Sequence, residues 1–403
     1  MNHRSPRPEA DRTVARQSTL RESNLALVIR TCLTAAQPIS RAGVAAATGM
    51  TRATAARLVD ELIAAGVLAE SQPTAAGGRG RPGMSIIAGR GFAALGLEVN
   101  GTCLAARVIA LSGEILAERI EGGDFRASEP APVLARLGAI AEALLAGTHG
   151  GTHLVGVGLA LPGLVSTESG RLLIAPNLGW SNVEPRRYLA LEIPAGLPIS
   201  IGNEADYAAR ATAELAPGRP EELRDFIYLS GETGIGGAVV RDGVVMRGRH
   251  GWAGEIGHVT VDPGGPVCRC GSTGCLELYA GRHALLAAAD LPETGAVDLT
   301  ARALDGDPAV IRALERAAWA LGVALAVVIN IVDIPVIVLG GHLGELSEFL
   351  IPLMKGHLQD RMLSSHWVAP EIRAGSPDPV PGATGAAYVE LGELIDNPAR
   401  WIG

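Results

Sequence analysis

The chain has 403 residues, 48% of them hydrophobic but only 3% aromatic, so it can bury a large core of small aliphatic side chains and divide it between two or three domains. Its formal charge of −8 is uneven: residues 1–90 hold 12 arginines against 6 acids, and the rest holds 22 basic residues against 36 acids. A basic head on an acidic body points to a polyanionic partner for the head alone; no apolar run is expected to reach membrane-spanning length, and the polar, Arg-rich N-terminus lacks a signal-peptide core.

Residues 1–20, rich in Pro, Arg and Ser, read as a disordered tail. A helix is expected from about Arg21 to Ala36, with Leu25, Leu27, Val28 and Leu33 as its apolar side, and Pro38 breaks it. Ser40 is placed to cap a second, short helix. After a turn at Gly49-Met50, Thr51 caps a third helix of about Arg52 to Ala65, whose buried side is Ala55, Leu58, Val59 and Leu62. Helix, tight turn and helix make a helix-turn-helix, in which Thr51, Arg52, Thr54 and Arg57 would face a DNA major groove. Gly66-Val67-Leu68 opens a wing, followed by Gly77-Gly78-Arg79-Gly80-Arg81-Pro82-Gly83. Glycines let that backbone lie flat, and Arg79 and Arg81 suit an A·T-rich minor groove, where the potential is most negative. Residues 21–88 are therefore expected to form a winged helix-turn-helix domain that binds DNA.

Residues 89–403 change character. Strands are expected at Phe92–Glu98, Leu104–Leu111 and Glu114–Ile120, a helix near Ala131–Ala146, a strand at Leu154–Leu161 and a helix at Asn203–Leu215. A second hairpin start follows at Phe226–Ser230 and Gly236–Val240, then a long helix Pro308–Val332, a strand Val336–Leu339 and a closing helix Gly382–Leu394. Strands alternating with helices give an α/β body. Two hairpin starts imply two related lobes with a cleft between them: residues 89–215 with the closing helix 382–395, and residues 225–380.

The densest chemistry is His258-x9-Cys268-x-Cys270-x4-Cys275. Three thiolates and one imidazole in so short and glycine-rich a loop can supply a closed tetrahedral site for structural Zn²⁺. Glu255 and Glu277 bracket it, which could anchor a polar ligand. The remaining cysteines, Cys32 and Cys103, lie far apart in sequence, and reduced thiols in a cytoplasmic protein are expected.

Taken together in this order, Val155-Gly-Val-Gly-Leu-Ala-Leu-Pro162-Gly163, Ala175-Pro-Asn-Leu-Gly-Trp180, Asn203-Glu204-Ala205-Asp206, Gly254-Glu255-Ile-Gly257-His258 and the cysteine block ending at Glu277 resemble the ROK family of repressors, open reading frames and sugar kinases. The head, with its Gly-Arg-Pro wing, resembles that of the family's transcriptional regulators. The resemblance implies a two-lobed, actin-like (ribonuclease-H-like) body closing on a sugar held by Asn203, Glu204, Glu255, His258 and Glu277. His258 would give one ring nitrogen to zinc and the other to a sugar hydroxyl. Without the resemblance, Asn203 reads as a helix N-cap and Glu277 as an acid at a helix start.

Three departures separate the chain from the family's kinases. Glu204 stands where they carry an aspartate general base, Glu98-Val99-Asn100-Gly101-Thr102 lacks one glycine of their first hairpin, and Glu232 puts a carboxylate in the second phosphate loop. The expectation is a sugar-responsive transcriptional regulator, a repressor, with a catalytically inactive body. Its partners would be operator DNA, a monosaccharide effector and further copies in a homodimer or homotetramer. Two alternatives are an active ATP-dependent sugar kinase with a DNA-binding head, and a constitutive DNA-binding protein whose body only dimerises.

Overall fold

The structure is a computed structural model that describes residues 9–72, 84–147, 151–194, 196–292 and 297–402. Arg79 and Arg81 lie outside the described residues.

The head begins earlier than its composition suggests. Helix α1 spans Glu9–Thr34, so residues from Glu9 to Leu20 extend the helix rather than form a tail. Leu25, Val28 and Leu33 are buried as expected, but Leu27 is 41% exposed. Two residues from Leu25, it lies about 200° around the helix, and Ile29 and Cys32 fill the inward stripe instead. Helix α2 (Arg41–Thr48) starts at Ser40, whose side chain accepts the Gly43 N–H. It ends at Gly49, whose φ of 71° is the left-handed conformation that glycine adopts without penalty. Helix α3 (Arg52–Ala64) is capped by Thr51 and buries Ala55, Leu58, Val59 and Leu62. Strands β1 (Leu68–Ser71) and β2 (Ser85–Ala88) pair antiparallel, and Ile39 bridges Ile86 beside them. The head is a winged helix-turn-helix.

The first lobe contains β3 (Phe92–Val99), β4 (Cys103–Ala110), β5 (Ile115–Gly122), α4 (Pro130–Gly147) and β6 (His153–Leu161). A small sheet of β7 (Leu164–Val165), β8 (Leu172–Ala175) and β9 (Trp180–Val183) follows, then β10 (Ile199–Asn203), α5 (Glu204–Ala213) and the short pair β11 (Glu214–Ala216) and β12 (Arg219–Pro220). The second lobe contains β13 (Phe226–Gly231), β14 (Ile235–Arg241), β15 (Val244–Val245), α6 (Glu277–Ala280), α7 (Arg282–Ala288), α8 (Leu299–Leu304) and α9 (Pro308–Val332). It ends with β16 (Val336–Gly340), α10 (Gly341–Glu345), α11 (Ser347–Gln359) and β17 (Glu371–Ala374), before α12 (Pro381–Asp396) returns to the first lobe.

The two main sheets run β5-β4-β3-β6-β10 and β15-β14-β13-β16-β17. Counted in chain order within each sheet, both have the order third, second, first, fourth, fifth. In both, the first three strands pair antiparallel and the last two parallel. The duplicated hairpins of the sequence are thus two copies of one topology.

Two helices, Pro130–Gly147 and Pro308–Val332, are long and apolar enough to cross a membrane by length and composition, which corrects the expectation of no such run. Here each packs a face into a lobe. Leu134 and Leu137 of α4 join the first-lobe core, and Leu314, Leu321 and Leu325 of α9 join the second.

The head is not a separate bead. Leu25, Val28 and Ile29 of α1, Leu58 and Leu62 of α3, Phe92 of β3, and Leu391, Leu394 and Ile395 of α12 form one continuous cluster. The surface pair Arg30–Asp396 adds a second tie between α1 and α12. A buried charge network pins the other end of α12. Arg107, 3% exposed, donates to both carboxylate oxygens of Asp378 at 2.9 Å and pairs with Glu118, while Asp378 accepts the Thr384 hydroxyl at 2.7 Å.

Candidate functional site

The cleft between the lobes gathers side chains from both hairpins, the α5 start and the His258–Cys275 loop. Asn100, Asn177, Asn203, Glu204, Glu232, Thr233, Glu255, His258 and Glu277 all line it. The five residues expected to bind sugar therefore share one cavity, although Asn203 and Glu277 are 74 positions apart in sequence.

Asn203 fills two roles. Its Oδ1 accepts the N–H groups of Ala205 at 2.7 Å and Asp206 at 3.2 Å, capping α5, and its amide donates to Gly163 O at 2.9 Å. One amide hydrogen is left for a ligand. The cap also fixes Glu204 in the first turn of α5. The Oε2 of Glu204 is buried with no hydrogen-bond partner. Burial, then the neighbouring carboxyls of Glu98, Glu232 and Glu255, push its pKa well above the usual range.

The loop from His258 to Cys275 supplies the other wall. One ligand atom each from His258, Cys268, Cys270 and Cys275 lies within 4.8 Å of the others. Cys270 Sγ and Cys275 Sγ are 3.7 Å apart, and Cys268 Sγ is 3.9 Å from His258 Nδ1. Ligands of a tetrahedral zinc, at about 2.3 Å for thiolate and 2.0–2.1 Å for imidazole, stand roughly 3.5–3.8 Å apart, so the donor set fits. Nδ1 is the ring atom beside the thiols, which leaves Nε2 as the second nitrogen of a residue that lines the cleft. Glu277 joins the two features: its Oε1 accepts from Cys268 Sγ at 3.0 Å and lies 3.7 Å from His258 Nδ1. A Cβ on Gly234 would meet Glu277 Oε2 at 2.5 Å and Asn177 Nδ2 at 2.6 Å. Gly234 thus makes room for both side chains. Asn177 lay in a quoted motif, but its role was not legible before the lobes were assembled.

The β13–β14 loop carries a carboxyl that reaches a neighbouring turn. Glu232, between β13 and β14, is pushed up to about 8, first by burial and then by Glu98 and Glu345. A Cβ on Gly341, a residue held at φ 54°, would meet Glu232 Oε1 at 2.6 Å. The side chain of Glu232 therefore spans to the β16–α10 turn. Asn100 stands in the turn of the first hairpin. Its Oδ1 accepts from Thr102 N at 2.9 Å and Cys103 N at 2.8 Å, so a side chain now shapes the turn.

In the head, the exposed Thr51 and Arg52 and the half-buried Thr54 sit at the N-terminal end of α3. The Thr51 and Thr54 hydroxyls lie 2.9 Å apart. Arg57, exposed one turn further on, is 3.7 Å from Glu61.

Fold and site together define a two-lobed, actin-like sugar-kinase-type body fused to a winged helix-turn-helix. A family model described as ROK family matches residues 94–392, and the chain belongs to that family, in its transcriptional-regulator branch. It is 26% identical over 386 residues to the xylose repressor of Bacillus subtilis (strain 168), spanning 95% of this chain and 98% of that protein. It is 32% identical over 303 residues to the N-acetylmannosamine kinase of Shigella boydii serotype 18 (strain CDC 3083-94 / BS512), spanning 75% of this chain and 99% of the kinase. The crystal structure of a ROK family transcriptional regulator, a homologue of the E. coli MLC protein, superposes with a TM-score of 0.76 at 25% identity, covering 95% of this chain and 99% of that one.

Proposed function

We propose that this protein is a sugar-responsive transcriptional repressor. The head binds an operator through Thr51, Arg52, Thr54 and Arg57, with Arg79 and Arg81 entering the flanking minor groove. The cleft binds a monosaccharide through Asn203, Glu204, Glu255, His258 and Glu277. Zn²⁺ held by His258, Cys268, Cys270 and Cys275 is structural: it fixes the imidazole tautomer and the loop that carries Glu277, and performs no chemistry. The body works as an oligomer, dimer or tetramer, in the cytoplasm, and the full-length match to a repressor supports this setting.

The observation that carries the reading is the hydrophobic core shared by the head and α12, because it makes the first lobe and the DNA-reading helix one body. Lobe movement on sugar binding then moves the heads of an oligomer relative to each other. Such coupling between two sites is typically about 1–3 kcal/mol. The kinase function is lost, in this reading, because the Glu232 side chain reaches from the β13–β14 loop to the β16–α10 turn and takes up space a nucleotide phosphate would need.

A gel-shift titration of operator DNA against a panel of sugars tests the proposal. One sugar should lower operator affinity about 5- to 150-fold, and no response to any sugar would count against it. Operator affinity should also fall with salt at a slope near about −0.9 per phosphate contacted. One observation favours the kinase alternative: Glu204 keeps a buried, unpartnered oxygen where a general base would stand. ATP-dependent phosphorylation of a hexose, lost in Glu204→Gln, would establish that alternative.

A further inference from the structure

Four carboxyl groups line the cleft, those of Glu204, Glu232, Glu255 and Glu277, and the described lining includes no lysine or arginine. Recognition of a phosphate ester or a sugar acid uses a guanidinium fork, an ammonium or a cradle of free N–H groups. The N–H groups nearest at hand, at the start of α5, are already capped by Asn203. An anionic ligand would meet four carboxyls and no guanidinium or ammonium in the described lining.

Two buried polar atoms of the cleft have no partner among the described residues. Glu204 Oε2 is buried without a partner. So is Thr233 Oγ1, on a residue only 9% exposed that lines the same cleft. A hydroxyl brings one donor hydrogen, whereas an ammonium brings three and a positive charge. Glu232 is a carboxyl beyond those expected to hold sugar hydroxyls, and it belongs to the same loop as Thr233.

We infer that the effector is a monosaccharide bearing a protonated amine, held at the Glu204–Glu232–Thr233 end of the cleft, and that phosphorylated and acidic sugars are excluded. This rests on the sugar-sensor reading above and deepens it.

Calorimetry on the full-length protein at about pH 7, where such an amine is largely protonated, tests the inference. Each amino sugar is compared with its own neutral parent and with the parent's 6-phosphate: glucosamine, mannosamine and galactosamine with their partners. For at least one pair the amine should bind about tenfold more tightly than the parent, and no phosphate ester should bind. Glu232→Gln should bring the pair to parity, and Glu232→Asp should keep the preference; the wild-type ratio decides the matter if either variant fails to fold. A neutral parent binding as tightly as its amine, or any phosphate ester binding, would overturn this inference and leave the sensor reading standing. Competition with the amine by Mg²⁺ or K⁺ alone would assign the carboxyls to an inorganic cation instead. No sugar of any kind binding would remove the sensor reading, and this one with it.

Discussion

The Glu98 carboxylate accepts the backbone N–H of Ala383 at 2.8 Å, and so caps a helix that has no side-chain cap at its own N-terminus. The same carboxylate accepts the Asn100 amide at 3.1 Å, in the hairpin turn that lines the cleft. Helix α12 therefore begins against the cleft hairpin and ends among the head's core residues.

Removing that cap should loosen the link between cleft and head. Glu98→Ala leaves a buried N–H unsatisfied, at a cost of about 1–3 kcal/mol. Denaturant unfolding should show this loss, and the sugar-dependent change in operator affinity should shrink. A variant that matches wild type in both measurements would mean that α12 is held by packing alone.

Stability should fall with rising pH. Burial is the first cause that pushes Glu98 up to about 7, Asp206 to about 7, Glu232 to about 8 and Glu390 to about 7. The folded protein keeps these protons where the unfolded chain has lost them. The stability they bring is complete below the ordinary carboxyl range and is lost as pH rises through about 7 to 8. Melting temperature should drop between about pH 5 and pH 9, and less steeply in Glu390→Gln. A melting temperature that climbs across this window would contradict the assignment.

Metal removal should reach the cleft through His258, a member of the cluster, and through Glu277, which contacts Cys268; both residues line the cleft. Chelation, or Cys270→Ser, should abolish bound zinc, lower the melting temperature and weaken sugar binding together. Zinc lost with unchanged sugar affinity by calorimetry would separate the loop from the pocket. Zinc content unchanged in Cys270→Ser would remove that residue from the ligand set.

Gly234→Ala is a sharper probe of the pocket. The new methyl must displace Glu277 Oε2 or Asn177 Nδ2, which stand 2.5 and 2.6 Å from its position. Both contacts are side-chain ends, so the fold can yield while the ligand geometry cannot. Sugar affinity should drop about tenfold or more, as expected for a displacement near 1 Å, with a melting temperature within a few degrees of wild type. Unchanged affinity would show that neither Glu277 nor Asn177 touches the sugar.

What the sequence revealed follows from which interactions are local. The caps at Ser40 and Thr51, the period of α3 and the compact His258–Cys275 cluster depend on residues near each other in the chain, and all were legible. The duplicated hairpins carried enough pattern to announce two lobes. Arg107 and Asp378 are 271 positions apart, and nothing in either neighbourhood announces the other. The start of α1 was missed because polar, Arg-rich sequence also suits a tail. The reach of Glu232 to Gly341 was hidden for the same reason as Asn177: both depend on how separate loops face each other after folding.

The shared core predicts that head and first lobe unfold as one unit. Leu394 is fully buried on α12, in the cluster that also holds Leu25 and Ile29 of α1 and Leu62 of α3. Leu394→Ala removes apolar contact from both sides at once and should cost about 2–5 kcal/mol. The effect on architecture is more telling than its size. In wild type, calorimetric melting should show the head going with the first lobe, because no polar linker divides their cores. In Leu394→Ala an earlier transition should split off, and operator affinity should become less sensitive to sugar, since a head loosened from α12 no longer follows the lobe. Two separate transitions already present in the wild-type protein would show that the contact between α1 and α12 is too weak to carry a signal.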